Sequence, residues 1–198
     1  MTVRIYAEGA GEGELHDTLF RQAWQSFFRA AGLAGRMPSV VRGKSRERTF
    51  DLFRVAIHNP RDGILPLLLV DSEGPVAAGA TSWQHLRAED GWEKPVRAAE
   101  NQAFLMVQLM ETWFLADPAM LRRYFGAQFR ENALRAWPDL ESVPKQTVLN
   151  VLGQATAECT KQYAKGRVSF DLLALLNPAH VEAACPHAKL LLDHLRHL

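Results

Sequence analysis

The chain opens on Val3-Arg4-Ile5-Tyr6-Ala7, an apolar-rich run that predicts a strand, ended by a glycine-rich acidic turn at Gly9, Gly11 and Gly13. Leu15, Leu19, Phe20, Ala23, Phe27 and Phe28 then recur at helical spacing over Leu15–Ala31, with Arg21, Gln22, Gln25 and Arg29 on the other face and Gly32 as terminator. A short strand over Pro38–Val41, a helix near Arg46–Ile57 and a turn over Asn59–Gly63 are expected next. Ile64–Val70 is apolar on both alternating faces, the pattern of a central parallel strand covered on both sides. The alternation of strand and helix predicts right-handed βαβ units and a mostly parallel sheet flanked by helices.

The periodicity loosens through Pro75–Ala99, where Trp83 and Trp92 punctuate a polar stretch that reads as a long loop with one helical turn. Phe104–Val107 reads as another buried strand, running into a helical Met110–Ala116. Asp117-Pro118 restarts the helix, Asp as N-cap and Pro at the first helical position. Helices are expected at Pro118–Phe125, Pro144–Tyr163, Phe170–Leu176, Pro178–Ala184 (capped by Asn177) and Pro186–His197. The whole chain is expected to form one α/β domain, sheet-rich over 1–110 and helical over 111–198, the helical part packed on the sheet.

Composition narrows the partners. The 198 residues are 47% hydrophobic and 23% charged, ordinary globular usage, and 23 Lys+Arg against 22 Asp+Glu leave a net charge of +1. No overall basic field advertises nucleic-acid or membrane binding. The longest strongly apolar run, Ile64–Val70, contains Pro66 and falls far short of the roughly 20 residues that span a bilayer. The amino terminus lacks a signal-peptide pattern, and Cys159 and Cys185 fit no disulfide framework, so a cytoplasmic protein without membrane attachment is expected.

Two acidic clusters each follow an apolar run: Glu8, Glu12 and Glu14 after the first strand, and Asp71 and Glu73 after Ile64–Val70. Carboxylates at the carboxyl ends of neighbouring parallel strands meet in the crevice where open α/β sheets bind ligands. Two carboxylates about 4 Å apart repel by roughly 4 kcal/mol at an effective dielectric of about 20, which a proton or a hard divalent cation relieves. Oxygen donors favour Mg²⁺ or Mn²⁺. In extended backbone Asp71 and Glu73, two apart, project to the same side.

This arrangement resembles the TOPRIM fold of topoisomerases, bacterial primases and overcoming-lysogenization-defect nucleases. The block Met106–Pro118, Tyr163-Ala164-Lys165-Gly166 and Ala184-Cys185-Pro186-His187 resemble one TOPRIM-like group, domain-of-unknown-function family forty-two seventy-six. The resemblance implies a Rossmann-like sheet and makes Glu8, Asp71 and Glu73 metal ligands, with Glu12 as a further acid of the nuclease branch. Asp-x-Glu stands where many TOPRIM proteins have Asp-x-Asp. The implied activity is phosphodiester cleavage, with Glu8 and Asp71 catalytic and Lys165 the first candidate to neutralise transition-state charge. Glu111 and Asp117 are accessory candidates, Asp117 being equally explained as an N-cap. Arg42, Lys44, Arg46 and Arg48 form a basic strip suited to nucleic-acid phosphates or, as readily, to a solvated helix start. The resemblance further implies an ABC-type or chromosome-maintenance-type ATPase partner in bacterial defence against phage or plasmids. Two alternatives stand beside it: a non-catalytic interaction subunit on the same scaffold, and phosphatase-like or nucleotide-directed chemistry.

Other motifs carry less. Gly43-Lys44-Ser45 lacks the earlier glycine of a phosphate-binding loop, since Pro38 stands there. Cys185-Pro186-His187 and His194-x-x-His197 make a poor zinc set. Met106, Met110, Trp113 and Phe114 read as core.

Overall fold

The computed structural model describes residues 1–9 and 14–198. Four strands form the sheet: β1 (Thr2–Ala7), β2 (Ser39–Arg42), β3 (Ile64–Asp71) and β4 (Ala103–Met106), all parallel and ordered β2-β1-β3-β4. The chain steps from β1 outward to β2 and then crosses to β3 on the other side of β1, so the strand order reverses between β1 and β3. That reversal opens a crevice at the carboxyl ends of these two strands.

Alternation along each strand separates two cores. Val3, Ile5, Ala7, Leu67, Leu69, Phe104 and Met106 face one layer, where α1 (Glu14–Phe28), α4 (Pro118–Phe125), α5 (Lys145–Thr156), α6 (Arg167–Leu175), α7 (Pro178–Ala184) and α8 (Pro186–His197) bury Phe20, Trp24, Phe27, Phe28, Trp113 and a long series of leucines. Tyr6, Leu68, Val70, Ala103 and Leu105 face a thinner layer from α2 (Arg46–His58) and α3 (Ser82–Asp90), completed by Trp92. The rings of the larger core interlock: Trp113 stacks on Phe27 at 5.5 Å between centroids and meets Trp24 edge-on at 5.9 Å. The carboxyl-terminal helices share this core with the sheet, as α6 lies along α1 and Phe170 meets Phe20 edge-on at 5.5 Å.

The sequence-based expectation is corrected at several places. The stretch Pro75–Ala99 holds a two-turn helix, α3, rather than a loop with a single turn; Thr81 caps it, its hydroxyl accepting from the Gln84 N–H while Gln84 Oε1 accepts from the Thr81 N–H, and Gly91 closes it in the left-handed region. α5 stops at Thr156 and does not reach Tyr163, because the Thr156 hydroxyl turns back onto the Leu152 carbonyl and accepts from the Tyr163 N–H. α6 begins at Arg167, three residues before the predicted Phe170. Met110–Ala116 is wound as a 3₁₀ helix, and a π turn over Arg29–Leu33, with Gly32 at φ 84°, follows α1.

Candidate metal centre

β1 delivers Glu8 to the crevice one residue past its end, and the Glu8 N–H still donates to the Leu69 carbonyl at 3.1 Å. Gly9 must be glycine, since a Cβ there would lie 2.4 Å from the Phe20 ring and 3.2 Å from Arg42. β3 ends on Asp71 itself, 8% exposed, with the Met110 N–H donating to its Oδ1 at 2.9 Å. Glu73 lies two residues on, but not by strand alternation as expected: its φ of 65° is left-handed, so a tight turn swings its carboxylate back to the other two. The turn is held by Ser72, whose N–H donates to the Met106 carbonyl and whose own carbonyl sits 2.8 Å from His85 Nε2. One ligand oxygen from each of Glu8, Asp71 and Glu73 lies within 4.8 Å of the others, and no other group of three acids, histidines or cysteines among the described residues does the same. Glu12 lies outside the described residues.

Electrostatics at this point favour a proton or a cation. Burial, followed by the Glu8 and Glu111 carboxylates, pushes Asp71 well above its ordinary value, against the pull of Lys165 and the Met110 N–H. Burial also raises Glu8; Arg46 draws it back and Glu73 adds to the rise.

Protein cations bracket the acids. Arg46, the first residue of α2, reaches inward rather than to solvent: its Nη1 donates to Glu8 Oε2 at 3.3 Å and to the Asp71 carbonyl, while Nε and Nη2 take both Asp90 oxygens at 2.7 Å. Burial opposes its charge, but Asp90 and Glu8 outweigh that and raise the Arg46 pKa. Lys145, at the start of α5, pairs with Glu73. On the far side of Asp71 a cleft of about 60 Å³ is lined by Glu8, Asp71, Glu111, Lys165, Gly166 and Ser169. Glu111, 3% exposed, accepts from the Tyr163 hydroxyl at 2.7 Å and lies 3.9 Å from the half-exposed Lys165 ammonium. Burial first and then Glu111 push the Tyr163 pKa up, so it remains a donor.

The structure thus gathers Glu8, Asp71, Glu73, Glu111 and Lys165. Asp117 stands apart as a helix cap, accepting from the Met120 N–H at 3.1 Å and the Asn177 N–H at 3.3 Å, with His180 at 3.3 Å. Of the basic strip, Lys44 and Arg48 are exposed, Arg42 is buried against Asp17 at 2.6 Å, and Arg46 belongs to the acidic centre. Sequence reasoning passed over Lys145, Asp90, Tyr163, Ser169 and His85; only Tyr163 carried a local signal, inside the block that also holds Lys165.

A parallel α/β sheet whose strand-order reversal bears three converging carboxylates defines a Rossmann-like protein with a candidate acidic metal centre. Residues 7–196 match the family described as Domain of unknown function (DUF4276), and the chain belongs to it. No curated protein and no solved structure matches the chain. No helix among the described residues is long and apolar enough to cross a membrane.

Proposed function

We propose that this protein is an Mg²⁺- or Mn²⁺-dependent phosphodiesterase, a nuclease or a related phosphoryl-transfer enzyme with TOPRIM kinship. The carrying observation is the convergence of Glu8, Asp71 and Glu73 within 4.8 Å at the switch point of the sheet. Three carboxylates are hard oxygen donors, and burial first, then the neighbouring Glu8 and Glu111 carboxylates, raise the Asp71 pKa, so that an ionised Asp71 calls for a counter-charge. Bound there, such an ion supplies an activated water and a counter-charge for a phosphoryl oxygen. The protein's own groups do the remainder. Glu8, Asp71 and Glu73 hold the ion, Lys165 presents an ammonium across the cleft to a non-bridging oxygen, and Tyr163 and Ser169 fix Glu111 behind it.

The resemblance extends this reading to a nucleic-acid substrate, an ABC-type or chromosome-maintenance-type ATPase partner, a cytoplasmic setting and defence against phage or plasmids. Nicking of supercoiled plasmid in Mn²⁺ tests the core of it. Glu8→Gln and Asp71→Asn are expected to lose at least about 100-fold, since even groups that only orient metal ligands are worth 10–100-fold. Equal nicking by wild type and both variants removes these acids from the mechanism.

One observation favours a second reading, a non-catalytic interaction subunit: Arg46 and Lys145 already pair with Glu8 and Glu73. Calorimetry with Mn²⁺ separates the two, because a scaffold held together by these pairs takes up no ion.

A further inference from the structure

Arg46 is held more firmly than a surface arginine. Both oxygens of Asp90 engage its fork at 2.7 Å, and the guanidinium lies 5.1 Å from the centre of the Trp92 ring. Trp92 is itself fixed, stacked on Phe50 with centroids 4.2 Å apart and planes 8° from parallel, and its indole N–H donates to Glu47 at 3.3 Å. A planar fork with a bidentate carboxylate and a ring beneath it has little freedom to leave. The remaining arm, Nη1, is spent on Glu8 Oε2 and the Asp71 carbonyl. On the opposite flank Lys145 holds Glu73, and its backbone N–H donates to Gln108 Oε1 at 3.2 Å.

We propose that the centre takes a single divalent ion, with Arg46 as the built-in positive charge that stands in for a second one beside Glu8. This rests on the metal-dependent reading above. Arg46 Nη1, 3.3 Å from Glu8 Oε2 and bonded to the Asp71 carbonyl, takes up the flank of Glu8 that a second ion would need. Arg46 touches no substrate in this arrangement and acts as a positioning residue for Glu8.

Mn²⁺ titration of the full chain, followed by calorimetry and by electron paramagnetic resonance, tests the count without relying on activity. Wild type is expected to bind one Mn²⁺ with the spectrum of an isolated ion, and Arg46→Lys to do the same. Arg46→Met is expected to bind two, with an exchange-coupled signal, because the second ion enters beside the released Glu8. Removing Arg46 alone strands Asp90, so Arg46→Met with Asp90→Asn is measured in parallel and is expected to bind two as well. Two ions in wild type or in Arg46→Lys overturn the inference, as does one ion of unchanged affinity in both Met variants. A wild-type chain that binds no Mn²⁺ overturns the metal reading itself, an outcome distinct from a wrong count.

Discussion

The two faces of the sheet differ in depth and in what they lend to the acidic centre. On one, Val3, Ile5, Ala7, Leu67 and Leu69 meet six helices and a cluster of interlocked rings around Trp24 and Trp113; on the other, Tyr6, Leu68 and Val70 meet only α2, α3 and Trp92. The deep face supplies Glu111, Lys145 and Lys165, and the thin face supplies Arg46 with its supports Asp90 and Trp92. The centre is therefore a seam, with acids from the sheet and cations from opposite sides. Packing on the deep face buries the larger core, whereas the thin face buries a smaller one and also fixes one guanidinium through Trp92 and Asp90.

The largest expected effect is Trp113→Ala, which should cost about 3–5 kcal/mol in urea unfolding, since the ring is fully buried between Trp24 and Phe27. Trp92→Ala on the thin face should cost less, about 2–3 kcal/mol, while loosening Arg46 and weakening Mn²⁺ binding. Equal unfolding costs would erase the contrast in depth. Next comes Glu111→Gln, expected to lower Mn²⁺-dependent nicking about 10–100-fold with an unchanged circular dichroism spectrum. Full activity in that variant would reduce the deep face to a scaffold.

The acids themselves give a pH test. Asp71 and Glu8 have folded pKa values raised above their ordinary 3.8 and 4.5, so the metal-free native state binds more protons than the unfolded chain between those values and the raised ones. Stability should therefore fall as pH rises through that window. In thermal melts with chelator from about pH 4 to about pH 8, wild type should lose stability while Asp71→Asn stays nearly flat. Parallel curves would show that ionising the buried Asp71 carries no such cost. The smallest effect expected is Thr81→Ala, which removes the cap of α3 and should cost about 1 kcal/mol with little change in activity.

Much of the sheet was legible because short strands covered on both sides leave unbroken apolar runs, as Ile64–Val70 does, and the residues that follow such runs mark strand ends. Glu8 and Asp71 were found that way. Glu73 was placed with them for an incomplete reason, since the two-residue spacing gave no sign of the left-handed turn that brings it round. Arg46 read as one of four basic residues on a helix start because its partner Asp90 lies in the polar stretch that hid α3. Lys145 was missed altogether: its pairing with Glu73 spans 72 positions, and nothing local encodes it. Burial of a strand is written in its own residues, while the partner of a charge is written elsewhere in the chain.

The seam also has an order in time. During synthesis Glu8, Arg46, Asp71, Glu73 and Asp90 all leave the ribosome before Lys145 and Lys165 exist, so the nascent acids meet the thin-face cation first and the deep-face cations last. Until α5 and the Lys165 turn dock, Glu73 and Glu111 lack their basic partners. The full set of ion pairs thus waits on Lys145 and Lys165, and a product cut short before Lys145 would keep the acids without the cations that pair with Glu73 and Glu111.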